Sequence, residues 1–316
     1  MSDAVAIVGG GPAGMSCALW LIRLGYSPVI LEQGQRLGGA QNLSPFHNAW
    51  YLGLPSSTGM QIAEQFEAHV RAKDIKLVRG TQVLTVVRDG ADFRIITDQG
   101  LLMAGAVVVA TGQRLRGMED LVALAGCEDL AADPRVSWSP GDTPGLQGEV
   151  DDKVVVVVGG GDNGLVTATN LSATAAHVHL LVRSGMRGFA INRELVADLV
   201  EAGHVTLHAR VRLSGFEVGQ QLTVGFADAD GQQRIACDVL CLQFGFTANV
   251  NPFPGLTLTA TGHIATDPFG RTSQPGIYAC GDVSNPRDPC VATAVGQGAV
   301  VARSIEEDGQ LVVAHR

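Results

Sequence analysis

Aromatic residues make up only 5% of the 316-residue chain, and no two cysteines stand in a Cys-x-x-Cys pair. Few aromatics beside 40 glycines and many valines suit an α/β protein with many tight turns. The six cysteines are Cys17, Cys127, Cys237, Cys241, Cys280 and Cys290. They make no zinc-like cluster with histidine, so no metal site is expected. Cys17, Cys237, Cys241 and Cys280 fall in apolar patterns and read as buried small hydrophobes, not as a disulfide scaffold. Basic charge is also short: 22 Lys and Arg against 31 Asp and Glu give a net charge of −9. That balance excludes a nucleic-acid binder, which needs a basic stripe. No uncharged apolar run approaches the roughly 18 residues of a membrane span. A strand is expected from Ala4 onward, which leaves no room for a signal peptide. A cytoplasmic location, with no membrane or nucleic-acid partner, is expected.

What the chain does contain is one pattern twice. Gly9-Gly10-Gly11-Pro12-Ala13-Gly14 follows the apolar run Val5–Val8. Gly159-Gly160-Gly161-Asp162-Asn163-Gly164 follows Val154–Val158. After each loop come a helix, a second strand (Pro28–Leu31 or Val178–Val182) and alternating strands with Asp-Gly or Gln-Gly turns. A buried run then closes each half, Ala106–Ala110 before Thr111-Gly112 and Asp238–Phe244 before Gly245. The expected fold class is α/β: two Rossmann-like dinucleotide-binding domains in three layers, with ligands at the carboxyl ends of the strands. A last buried strand, Gly276–Cys280, and a helix over Val291–Glu306 return to the first half. The second domain is therefore expected as an insert, 116–247, within a discontinuous first domain, 1–115 and 248–316.

The glycines at 9, 11 and 14 permit a tight turn, backbone approach to a pyrophosphate, and close helix packing. Glu32, at the end of the second strand, can accept from a ribose hydroxyl and would repel a 2′-phosphate, which suits FAD or NAD. The alternative is an ordinary α/β turn with Glu32 merely solvated, against which the Thr111-Gly112 and Gly281-Asp282 turns speak. Asp282, after Gly281, can bond a flavin ribityl hydroxyl or serve as a turn aspartate. The helix beginning at Val291-Ala292 can aim its amides at the negative charge of a reduced flavin. In the second half, Arg183 stands where the first half has an acid and Arg187 follows one turn later, which suits the 2′-phosphate of NADPH over NADH. They can also be plain surface charges. His177 and His179 read as structural.

These residues resemble the low-molecular-weight thioredoxin reductase family of flavoproteins. The resemblance rests on Gly9–Gly14, Glu32 with Gly38-Gly39, Ala110-Thr111-Gly112, Gly159–Gly164, Arg183 with Arg187, and Gly276–Val283, and it runs the whole chain. It implies a homodimer whose FAD domain is split around an NAD(P)H domain that can rotate. It implies FAD contacts at Gly9, Gly11, Pro12, Ala13, Gly14, Glu32, Gln33, Gly39, Gln41, Thr111, Gly112, Gly281, Asp282, Val291 and Ala292. It implies NADPH contacts at Gly159, Gly161, Asp162, Asn163, Gly164, Arg183 and Arg187. Asn42 and His47 also follow Gly38-Gly39, where the family approaches the flavin ring, although the spacing differs by about one residue.

The family's reductases carry Cys-x-x-Cys before the second phosphate-loop strand. Here the stretch is Val136-Ser137-Trp138-Ser139-Pro140-Gly141-Asp142. Without thiolates no mixed disulfide forms, which excludes the internal dithiol relay. A cysteine-free branch resembles ferredoxin or flavodoxin–NADP reductases, and it can cover the flavin with an aromatic residue and a C-terminal tail. Trp50, Tyr51 and His315 are the candidates for that cover here. Arg287–Gly298, by contrast, looks closer to the disulfide-reductase version of that helix. Cys290, next to the flavin-facing helix, is the candidate catalytic thiol or else a small residue that fits under the ring. The expected activity is transfer of electrons from NADPH through FAD to an external acceptor, a small iron–sulfur or flavin protein first. The net charge of −9 fits an acidic ferredoxin only where a basic patch is local. Direct reduction of a quinone, thiol or disulfide metabolite, and a cofactor-binding sensor without turnover, are the alternatives.

Overall fold

The computed structural model describes residues 3–314, with side chains to 309. β1 (Ala4–Val8) leads into α1 (Pro12–Arg23), where proline sits in the first turn and its missing N–H costs nothing. β2 (Ser27–Glu32) follows. After a 3₁₀ turn at Gly39–Leu43 comes α2 (Gly59–Arg71). A capping box starts α2: Thr58 Oγ1 accepts from Gln61 N at 3.2 Å, and Gln61 Oε1 accepts from Thr58 N at 2.9 Å. β3 (Lys76–Arg79) precedes an antiparallel meander of β4 (Val83–Asp89), β5 (Asp92–Thr97) and β6 (Gly100–Ala104). β7 (Ala106–Val109) closes this unit, and β8 (Gln113–Leu115) leads out of it.

The second unit, Leu115–Phe246, repeats the scheme. β9 (Val136–Ser137) and the short α3 (Thr143–Gln147) come first. Then follow β10 (Val154–Val158), α4 (Asp162–Leu171), β11 (His177–Val182), α5 (Ala190–Glu201) and β12 (Val205–Ala209). A meander of β13 (Arg212–Val218), β14 (Leu222–Asp228) and β15 (Gly231–Cys237) precedes the closing β16 (Val239–Leu242). The chain then returns through β17 (Phe246–Ala248) to the first unit, which resumes at Thr247 and adds β18 (Ile277–Ala279) and α6 (Val291–Ala314).

Both parallel sheets have one plan. The first runs β18-β7-β1-β2-β3 and the second β9-β16-β10-β11-β12. In each, the strand before the glycine loop is central and lies between the second strand and the closing strand. The edge strand beside the closing strand comes from the late part of the chain in one unit and from an earlier segment in the other. A strand covered on both faces must be apolar throughout, and β10 is five consecutive valines. The alternation of side chains divides each core in two. Val5 and Ile7 pack with α1 and α6, while Ala6 and Val8 pack with Phe93 and Ile95 of the meander. Val155 and Val157 pack with Leu165 and Ala168 of α4, while Val156 and Val158 pack with Val224 and Phe226. Each unit is therefore a helix layer, a parallel sheet and a meander.

Some elements exceed the sequence expectation. α5 has no clear sequence signal, because Val196 is its only buried residue and its apolar period is weak. α6 runs past Glu306 to Ala314. His315 lies outside the described residues.

Candidate functional site

Three glycines do three different things in the first loop. A Cβ on Gly9 would lie 2.3 Å from Ala110 O, and its φ of +110° suits glycine. A Cβ on Gly14 would lie 2.1 Å from Gly9 O, so α1 sits directly on the turn. A Cβ on Gly11 would meet nothing within 4 Å. The open side of Gly11 faces away from protein, beside the N-terminal amides of α1. Such an opening at a helix N-terminus can cradle a pyrophosphate. Pro12 and Ala13 form its first turn.

Glu32 is fixed beside this cradle. Its Oε2 accepts from Gly10 N at 2.8 Å and its Oε1 from Gly34 N at 2.7 Å. Both oxygens keep lone pairs for further donors. Gln33 is exposed, as is Gly39, whose φ is +54°. Gln41 Oε1 accepts from Asn48 Nδ2 at 3.1 Å. Asn42 Nδ2 donates to Leu37 O at 2.9 Å, and its buried Oδ1 has no partner among the described residues. His47 is tied into a local bridge, its Nδ1 3.1 Å from Ser56 O.

The returning chain completes the first site. α6 crosses α1 so closely that a Cβ on Gly298 would lie 2.3 Å from Ala13 O, and Ser16 Oγ donates to Val295 O at 2.7 Å. Gly281 N donates to Gln297 Oε1 at 2.8 Å, and a Cβ on Gly281 would press on Ala13 Cβ at 2.8 Å. These contacts bring Gly281, with Asp282 next to it, and α6 around Val295–Gly298 to the first loop, while Val291 and Ala292 open α6 one to two turns earlier. Asp282 Oδ1 is buried with no hydrogen-bond partner among the described residues, and burial pushes its carboxyl up to about 6. An orphaned buried acceptor of this kind fits a hydroxyl-bearing ligand such as the ribityl chain of FAD. Thr111 Oγ1 donates to Asn249 O at 2.6 Å, and Gly112, with φ +62°, has open space beside it.

The second loop copies the first. A Cβ on Gly159 would lie 2.3 Å from Gln243 O, one on Gly164 would lie 2.3 Å from Gly159 O, and one on Gly161 would meet nothing within 4 Å. Gln243 takes the place that Ala110 has in the first unit. It is buried, and its Nε2 has no partner among the described residues. Sequence reasoning misses it, since a glutamine ending an apolar strand belongs to no motif. Asn163 is in the first turn of α4. Arg183 and Arg187 are exposed and have no ion-pair partner among the described residues. Asp162 does not face outward freely: its Oδ1 accepts from Phe189 N and from Asn192 Nδ2, both at 2.7 Å.

The stretch 136–142 is tied up internally. Ser137 Oγ donates to Asp142 Oδ2 at 2.9 Å, and Ser139 Oγ accepts from Gly141 N at 3.1 Å. All six cysteines are free. Cys127 is buried along with the four expected to be. Cys290 is half-buried immediately before α6, its Sγ 3.4 Å from Thr293 Oγ1. Trp50 is half exposed, and Tyr51 packs edge-on against Phe66 at 6.1 Å. His177 and His179 join His208 in a ladder across β11 and β12. His179 Nδ1 is 3.1 Å from His208 Nε2, and His177 Nε2 is 2.8 Å from Thr206 Oγ1. Burial first, then His177 and His208, push His179 down to about 4. Among the described residues no group of three or more His, Cys, Asp or Glu is arranged to hold a metal ion, and no helix is long and apolar enough to cross a membrane.

Known proteins share this construction. Over 304 residues the chain is 28% identical to a component of the alkyl hydroperoxide reductase of Pseudomonas putida, covering 93% of this chain but only 56% of that protein. It thus spans little more than half the length of that relative. Over 299 residues it is 28% identical to ferredoxin–NADP reductase of Lactococcus lactis subsp. cremoris, covering 93% of this chain and 90% of that one. Its fold superposes on a thioredoxin reductase from T. acidophilum with a TM-score of 0.85 at 24% identity, covering 98% and 99% of the two chains. The family described as pyridine nucleotide-disulphide oxidoreductase matches residues 3–298. Two glycine cradles with open middle positions, and an orphaned aspartate beside one of them, fit the FAD and nicotinamide nucleotide that this family implies. The chain belongs to the pyridine nucleotide-disulphide oxidoreductase family and is an FAD-dependent oxidoreductase.

Proposed function

We propose that this enzyme takes electrons from NADPH and passes them through FAD to a separate acceptor protein, a ferredoxin or flavodoxin. The observation that carries the reading is an open cradle in each unit together with a stretch, 136–142, that holds no thiol where the family's reductases carry a dithiol. Bound FAD would supply the chemistry, accepting a hydride from the nicotinamide and releasing electrons singly or in pairs. The chain's own work is positioning and charge. Amides of α1 hold one pyrophosphate and amides of α4 the other. Asp282 accepts from the ribityl chain, and the N-terminus of α6 favours negative charge on the ring. Arg183 and Arg187 favour the 2′-phosphate of NADPH over the bare ribose of NADH. The active form is proposed to be a homodimer in the cytoplasm.

Relatives named ferredoxin–NADP reductase support the choice of acceptor, since they match nearly end to end. The test is spectral. Purified protein is expected to be yellow, and anaerobic NADPH should bleach it within seconds, faster than NADH does. Ferredoxin or flavodoxin should then reoxidise it faster than a quinone or a low-molecular-weight disulfide. Slow bleaching by both nucleotides overturns the reading. Fast reoxidation by a quinone or disulfide alone moves the activity to small molecules.

A further inference from the structure

We propose that Asp162 is a positioning residue for NADPH selectivity: it fastens the loop that carries Arg183 and Arg187 to the head of α4 and does not itself touch the nucleotide. The inference rests on the NADPH reading above. A carboxylate in the first turn of α4 suits the helix, yet the same amides are needed for the pyrophosphate, and a freely turning carboxylate would repel it. Asp162 is not free to turn. Its Oδ1 takes the backbone N–H of Phe189 and the side-chain amide of Asn192, each at 2.7 Å. Gly188 lies against it, since a Cβ there would be 2.6 Å from Oδ1 and 2.7 Å from Leu165 Cδ1. A second fastening acts on the same loop. Arg187 N donates to Gly160 O at 2.6 Å, and Gly185 O stands 2.7 Å from where a Cβ of Gly160 would be.

The loop from 183 to 189 is thus pinned to the phosphate loop by its backbone, while both arginines are exposed without ion partners among the described residues. Such an arrangement is prepared for a doubly charged group that is not part of the protein. Arginine recognition of phosphate depends on a fixed donor geometry, so selectivity should follow the backbone anchor as well as the arginines. NADH has no 2′-phosphate, and its binding should be indifferent to the anchor.

The test is calorimetric titration of the FAD-loaded protein with 2′,5′-ADP and with 5′-AMP, together with hydrogen exchange at the Phe189 amide. Wild type should bind 2′,5′-ADP more tightly. Asp162→Ala should shrink that preference about tenfold, mostly through 2′,5′-ADP, and speed exchange at Phe189. Asp162→Asn keeps the Oδ1 acceptor and should retain the preference within about threefold. If Asp162→Ala fails to fold, Asn192→Ala, which removes one of the two donors, must lower the preference at least about threefold. An unchanged preference in Asp162→Ala, or a loss as large in Asp162→Asn, overturns the positioning role. Absence of any preference in wild type instead overturns the NADPH reading itself.

Discussion

Replacing Asp282 with alanine should move apoprotein stability and FAD affinity in opposite directions. Burial raises the carboxyl from 3.8 to about 6. A carboxyl whose folded pKa lies above its unfolded value is no burden below about pH 4. The penalty grows between about pH 4 and 6, and it is fully present above 6. At about 1.36 kcal/mol per pH unit, the gap disfavours the charged form by about 3 kcal/mol as an upper figure. Asp282→Ala should therefore make the FAD-free protein more stable at pH 8, by up to about 3 kcal/mol, and flatten its profile between pH 4 and 6. The same change removes the acceptor for the ribityl hydroxyl. A hydrogen bond to a charged group contributes about 1.5–3 kcal/mol, so the Kd for FAD should rise about 10- to 100-fold. Urea midpoints of the stripped protein give the first quantity, and quenching of FAD fluorescence gives the second. A variant that loses stability while holding FAD as tightly as before would refute the reasoning, because Asp282 would then be a turn residue and not a ligand.

Gly11→Val should leave the FAD-free fold intact, since nothing lies within 4 Å of its Cβ, yet give colourless protein; Gly161→Val should stay yellow and lose NADP⁺ binding by calorimetry. Gly14→Ala, whose Cβ would sit 2.1 Å from Gly9 O, should instead lower stability by about 2–4 kcal/mol, read as a shift in urea midpoint. His179, held near 4 in the fold against 6.5 unfolded, favours the fold when neutral; its contribution is complete above 6.5 and is lost as pH falls toward 4. Half-burial limits the amount to about 1–2 kcal/mol, and His179→Gln should flatten the urea midpoint over that window. Cys290→Ser should leave turnover with protein acceptors within about twofold, because its thiol faces Thr293 and has no second cysteine to form a disulfide with; a steep loss measured by acceptor reduction would make it catalytic.

Sequence is most readable where backbone geometry forces a residue type. Gly9, Gly14, Gly159 and Gly164 each stand where a Cβ would collide with a carbonyl, and no other residue satisfies that demand. The all-valine β10 is readable because a strand covered on both faces has no polar side. α5 stays hidden because it buries one residue and has Ile191, Leu195 and Val200 at the surface, which blurs its period. Asp162 reads as a ligand because its motif sits at a helix N-terminus. Its partners, Phe189 and Asn192, lie about 30 residues on and cannot be inferred from spacing. Gln243 and His208 escape a sequence reading for a related reason. Each gains its meaning from a neighbouring segment, the glycine loop for one and His179 for the other.

The two units differ at the strand beside the closing strand. In the first unit this edge is β18, which delivers Gly281, Asp282 and α6 to the cradle. In the second it is β9, which delivers Ser137–Asp142, a turn whose hydroxyls are satisfied by its own atoms. No cysteine behind β9 can substitute for the missing pair. Cys241 stands opposite Ser137 in the register, but burial pushes its thiol, and that of Cys237, up to about 12. A thiol that stays protonated is neither a nucleophile nor a carrier. Cys280 near the first cradle is held at about 12 by burial in the same way. With the thiols of Cys237, Cys241 and Cys280 held protonated by burial and no cysteine in 136–142, the proposed route leads from the flavin directly to the acceptor, and Cys290, half-buried before α6, is the one thiol whose replacement tests it.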